Sequence, residues 1–114
     1  MGKRFEGFKN GQKPKVALPE QFFSELLPLI DDLSVLKVVL FAWRALMQRE
    51  GTYRFLCYDD FAEDAALSEG LRVVDASLDT ALTQAVAQGV FLRAEVTVRG
   101  EDEQLFFMNT PRGR

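Results

Sequence analysis

The chain has 114 residues, 47% of them apolar and 27% charged, with one cysteine and no histidine. That length suits one domain with one real core, and the lone Cys57 excludes a fold stapled by intrachain disulfides. The formal charge of −3 hides an asymmetry: residues 1–15 carry five basic side chains against Glu6 alone, residues 16–110 carry seven basic against sixteen acidic, and Arg112 and Arg114 close the chain.

An acidic body repels a polyanion, so nucleic acid is more easily held by the basic ends than by the domain surface. The first fifteen residues are polar and lack the apolar core of a secretory leader. The most apolar stretch, Leu33–Met47, is interrupted by Ser34, Lys37 and Arg44 and is shorter than the ~20 residues of a spanning helix. The expectation is a soluble protein with no membrane contact, in the cytoplasm, where a free thiol persists.

Residues 1–15 hold three glycines and no periodic pattern, which reads as a flexible basic arm. Phe5 and Phe8 stand out within it, because two aromatics in a polar arm point to packing on its own domain or on a neighbour. Pro19 suits a first helical turn. Phe22, Phe23, Leu26, Leu27 and Ile30 follow at helical spacing, and Pro28 should bend or end that helix.

Asp31 and Asp32 are N-cap candidates for a second helix over Leu33–Gln48. Its polar residues Ser34, Lys37, Arg44 and Gln48 form one narrow stripe, which predicts a core helix buried over the rest of its circumference. Phe41 falls inside that stripe, where it meets the first helix or the arm, or waits for a partner chain. Gly51 suits the helix end.

Tyr53–Leu56 reads as a short strand, followed by a helix over Tyr58–Leu67 whose acidic start complements the dipole. Ser68-Glu69-Gly70 reads as a break before a helix over Asp75–Gln88, buried through Ala76, Leu78, Ala81, Leu82, Ala85 and Val86, with Gly89 past its end. The period then changes to two: Val90, Leu92, Ala94, Val96 and Val98 alternate with Phe91, Arg93, Glu95, Thr97 and Arg99, as in a half-buried strand. A turn at residues 100–103 and a return strand over Gln104–Asn109 complete a hairpin.

The order of elements predicts an α+β fold, mostly α with a small β-hairpin. It is that of a winged helix-turn-helix over residues 16–110, with an extra N-terminal helix and the hairpin as the wing. Residues 111–114 form a basic tail at the start of a linker.

Catalysis is not expected, nor is a metal or cofactor. Without histidine the commonest general base and zinc ligand are missing, and Cys57 has no base to activate it. The pairs Asp31/Asp32, Asp59/Asp60 and Glu63/Asp64 are sequence neighbours, which diverge on a helix and read as caps and solvated faces. No phosphate-binding loop or nucleophile elbow occurs.

In a helix-turn-helix the second helix of the pair reads the major groove. Here its exposed face would offer Asp75, Ser77, Asp79, Thr80, Thr83 and Gln84, without one basic residue, and the wing tip would be Glu101-Asp102-Glu103. Any DNA contact falls to Lys3, Arg4, Thr80, Thr83, Gln84, Arg93, Arg99, Arg112 and Arg114, with Arg93 and Arg99 on the outer face of the wing strand. Protein contact is favoured instead, through Phe5, Phe8, Phe22 and Phe41 and through the edges of the hairpin.

The run VALPEQFFSELLPLIDDLSVLKVVLFAWRALMQREG (Val16–Gly51) resembles the N-terminal segment of DnaD-like bacterial replication proteins, in which a Pro-led helix, an acidic break and an "LKV" helix precede a winged-helix core. The closing FFMNTPRGR (Phe106–Arg114) is similar to the end of that module. The resemblance implies a homo-oligomerising and partner-docking domain for primosome assembly, a dimer or larger, contacting replication proteins and binding DNA weakly at most. The alternative is a winged-helix transcription regulator that binds DNA.

Overall fold

The computed structural model describes residues 4–8, 16–48 and 55–109. Lys3, Gly51, Tyr53, Arg112 and Arg114 lie outside the described residues, as does most of the basic arm.

The first helical segment starts at Glu20, where Phe22 N–H reaches the Pro19 carbonyl at 3.0 Å. Over Phe22–Leu26 the turns widen to π spacing, and over Leu27–Leu29 they tighten to a 3₁₀ turn. Pro28 accounts for the irregularity, since it has no N–H to return to Ser24 and its ring crowds that carbonyl. Phe22 is the anchor, 5% exposed in the core, with Leu18, Leu26 and Ile30 packed beside it.

Helix α1 (Leu33–Met47) is capped by Asp32, whose Oδ1 accepts the Ser34 amide at 2.8 Å. Val35, Val38, Val39, Ala42 and Leu46 bury its inner side. The expected polar stripe is exposed only over its second half, at Arg44 and Gln48. Ser34 is buried and turns its hydroxyl onto Asp32. Lys37 is half-buried, and its Nζ donates to the Gly70 carbonyl at 2.8 Å. Phe41 is half-buried against Phe61, their ring centroids 5.4 Å apart. Leu33, Leu40 and Met47, seven residues apart, are exposed as well. Ser34 and Lys37 can sit inside because each has a hydrogen-bond partner there.

Strand β1 is only Leu56–Cys57. The single helix expected over Tyr58–Leu67 is two: α2 (Tyr58–Ala62) and α3 (Ala65–Val73). Asp64 divides them, because its Oδ1 accepts the Leu67 amide at 2.9 Å and so caps a new helix. The expected break at Ser68–Gly70 lies inside α3, where Glu69 pairs with Arg72. Helix α4 spans Leu78–Ala87, capped by Ser77 through the Thr80 amide. Asp75 precedes it in a turn at φ 53°, off the helix on which it was expected. Ala81, Leu82 and Ala85 are buried as the helical period predicts.

Strands β2 (Phe91–Val98) and β3 (Glu101–Met108) form the hairpin, and the antiparallel sheet order is β1-β3-β2. The turn is shorter than expected, just Arg99 and Gly100 with φ of 53° and 82°, so Glu101–Glu103 are strand residues. Two positive φ values in a two-residue connection make a type I′ turn, whose twist matches a hairpin.

The core gathers on one side of the sheet. Phe61 is its hub, with ring centroids 5.5 Å from Phe106 and 6.2 Å from Phe91. Burying each such ring stabilises the fold by about 2–3 kcal/mol. Among the described residues no helix is long and apolar enough to cross a membrane.

Candidate functional site

Cross-strand partners in an antiparallel ladder share a face, so the register defines both sides of the hairpin. Phe91 opposes Met108 and Arg93 opposes Phe106, which places Arg93 on the side turned to the helices. Its guanidinium lies 5.5 Å from the Phe106 ring centroid, and Nη2 donates to Thr83 Oγ1 at 3.3 Å. The expected outer-face position of Arg93 is therefore corrected. Glu95, Thr97 and Asp102 continue this polar side toward the turn, with Thr97 Oγ1 and Asp102 Oδ1 2.9 Å apart.

The other side carries Leu92, Ala94 and Val96 opposite Phe107, Leu105 and Glu103. Cys57 pairs with Leu105 there, and the Phe55 and Phe107 rings approach to 5.9 Å. These apolar residues are half-buried and stand apart from the core cluster. Alternation gives their common face, which is half-buried as expected while Arg93, Glu95 and Thr97 are exposed, but that face lies opposite the core. The core reaches only Phe91 on β2 and Phe106 and Met108 on β3, all in the other phase of the strand.

The expected interface residues divide. Phe5 and Phe8 are exposed, Phe8 to 95%, and touch each other edge to face at 4.9 Å. Phe22 and Phe41 are used inside the chain and offer little to a partner. Of the expected DNA contacts, Thr80, Thr83 and Arg93 are exposed and Gln84 is half-buried. Arg4 is exposed on the arm. Arg99 occupies the hairpin turn, six residues beyond Arg93 and so roughly 20 Å along the strand. The charge around Thr83 and Arg93 is mixed. Asp79 lies on the same helix, where it accepts from the Tyr58 hydroxyl and holds that phenol above its usual range.

No protein-family model, curated protein or solved structure matches this chain.

Cys57 is half-buried at the start of α2, with Sγ 3.3 Å from Asp60 Oδ2. Burial, and then the neighbouring carboxylate, push its thiol up from the ordinary value, the opposite of what a nucleophile needs. Asp60 also accepts the Cys57 amide at 2.9 Å, which makes it a helix-capping group. Among the described residues no cluster of acidic or sulfur side chains has the makings of a metal site. A shallow groove between the first helical segment and the sheet end is lined by Phe22, Leu26, Leu29, Trp43, Val90 and Met108.

Proposed function

We propose that the chain is a non-catalytic winged-helix module that works by protein contact, as the oligomerisation and docking domain of a DnaD-like replication protein in the cytoplasm. The helix–strand–helix–helix–hairpin order with sheet order β1-β3-β2 supports the winged-helix reading. In that reading α4 takes the recognition-helix position and β2–β3 is the wing.

One observation carries the functional choice: the apolar side of the hairpin, with Leu92, Ala94, Val96, Leu105 and Phe107, turns away from the helices. A patch of that kind fits a polypeptide surface better than a phosphate backbone. Light scattering tests it. The wild type should run above monomer mass, and Leu105→Lys with Phe107→Asp should lower that mass while the thermal transition persists. An unchanged mass in the double variant overturns the assignment of this face.

The alternative, a DNA-binding regulator, draws support from Arg93 standing beside Thr83 on the exposed side of α4. The acidic Asp79, Glu95 and Asp102 around that pair weigh against it.

A further inference from the structure

We infer that two copies of this chain join through their β2 edges, antiparallel and with Ala94 opposite Ala94, so that Arg93 of each copy faces Glu95 of the other. The inference rests on the protein-contact reading and names its partner.

The sheet order leaves β2 at an edge along all eight residues, and no described residue pairs with its free side. Proteins usually blunt such an edge with a proline, a bulge, a very short strand or charged side chains. β2, FLRAEVTV, has no proline or lysine, and its register with β3 runs unbroken from Phe91↔Met108 to Val98↔Glu101. Its two charges, Arg93 and Glu95, are of opposite sign, which a second copy can pair rather than be repelled by. The opposite edge differs, because β1 is two residues long.

The backbone parity permits the pairing. In a two-residue type I′ hairpin the residues flanking the turn, Val98 and Glu101, exchange both hydrogen bonds. Bonded pairs then alternate along the ladder, so the amides of Phe91, Arg93, Glu95 and Thr97 point to the free side. Those four are odd-numbered, and an antiparallel partner must set odd residues against odd ones.

Charge then selects the register. With the twofold at Ala94, Arg93 meets Glu95 twice, Leu92 meets Val96 twice and Phe91 meets Thr97. Moving the axis to Arg93 sets arginine against arginine, and moving it to Glu95 sets glutamate against glutamate. Cross-strand pairs of opposite charge stabilise and like charges destabilise. Arg93 donates one N–H to Thr83 and keeps others for the second copy's carboxylate. The Leu92, Ala94 and Val96 pairs fall on the half-buried apolar side, so two three-stranded sheets merge into one of six strands whose apolar faces are continuous.

The experiment is sedimentation analysis of full-length Arg93→Glu, Glu95→Arg and their equimolar mixture, with circular dichroism to confirm folding. Each single variant should self-associate on the order of tenfold more weakly, because two ion pairs become two repulsions. The mixture should regain wild-type mass. In a mixed dimer the two unsubstituted positions still set Arg93 against Glu95, and the two substituted positions form a second ion pair with its polarity reversed. Single variants that keep wild-type association, or a mixture that stays monomeric, overturn the pairing. If Leu105→Lys with Phe107→Asp loosens the assembly while both charge reversals leave it intact, the edge pairing fails and the protein-contact reading stands. A wild type that is monomeric at every concentration overturns the pairing and the self-association together.

Discussion

Arg93 Nη2 donates to Thr83 Oγ1 across 3.3 Å, tying the middle of the hairpin's first strand to the exposed side of α4. The contact places the best-located basic residue of the hairpin where a groove-reading helix would need help, and it also occupies part of that residue's hydrogen-bonding capacity. Glu95 and Asp102 lie farther along the same side of the hairpin.

The first prediction concerns duplex DNA. Fluorescence anisotropy should show weak binding that vanishes between about 50 and 200 mM salt and ignores sequence, the signature of contact through basic arms alone. Thr83→Ala and Arg93→Ala should leave it nearly unchanged. Sequence-dependent affinity that both substitutions reduce would establish the DNA-reading alternative.

A second prediction follows from Lys37 and Gly70. The lysine joins α1 to the middle of α3 through a 2.8 Å hydrogen bond to the Gly70 carbonyl. A Cβ added at Gly70 would meet Lys37 Cδ at 3.5 Å, an ordinary contact. Gly70→Ala should therefore stabilise the protein by about 0.5–1 kcal/mol, the helical preference of alanine over glycine. Lys37→Met removes the donor and should cost about 1–2 kcal/mol. Chemical denaturation of both variants checks the pair, and a destabilising Gly70→Ala would mean that the carbonyl cannot hold its place against the methyl.

Local signals were the legible part of this fold. Asp32 as a cap, the stop at Pro28, the buried stripe of α4 and the strand period at residues 90–98 can all be read from neighbours in sequence. The illegible part depended on partners far along the chain. Lys37 looked solvent-facing because the Gly70 carbonyl that receives it lies 33 residues away. Phe41 reads as meeting the first helix, the arm or a partner chain because Phe61, the ring it does meet, comes later and on another helix. The hairpin's apolar phase looked core-facing because alternation gives a period and leaves the side undetermined. That last misjudgement touches the candidate site, since it decides which face remains for a partner.

Cys57 supports a third prediction. Burial and the Asp60 carboxylate raise its thiol pKa, so little thiolate forms at neutral pH. Alkylation by iodoacetamide at pH 7.5 should be much slower in the native protein than in denaturant. Asp60→Asn removes the nearby charge and should speed the native reaction, though it also alters the cap at Cys57. Native labelling as fast as that of the denatured chain would contradict the placement of the thiol.

The fourth prediction is an acid dependence centred on Asp32. Hydrogen bonds from the Ser34 hydroxyl and then the Ser34 amide hold this carboxyl below its usual value of 3.8. Because the folded value is the lower one, the carboxylate's contribution is fully present above the unfolded value and fades as pH falls through the folded one. Asp32→Asn keeps a capping oxygen and loses the charge. The wild type should unfold at a higher temperature than Asp32→Asn near neutrality, and the gap should narrow as pH drops below about 4. Melting curves from pH 7 down to 2.5 measure that gap directly. A difference that stays constant across the range would mean that the α1 cap draws nothing from ionisation of the carboxyl and works through hydrogen-bond geometry alone.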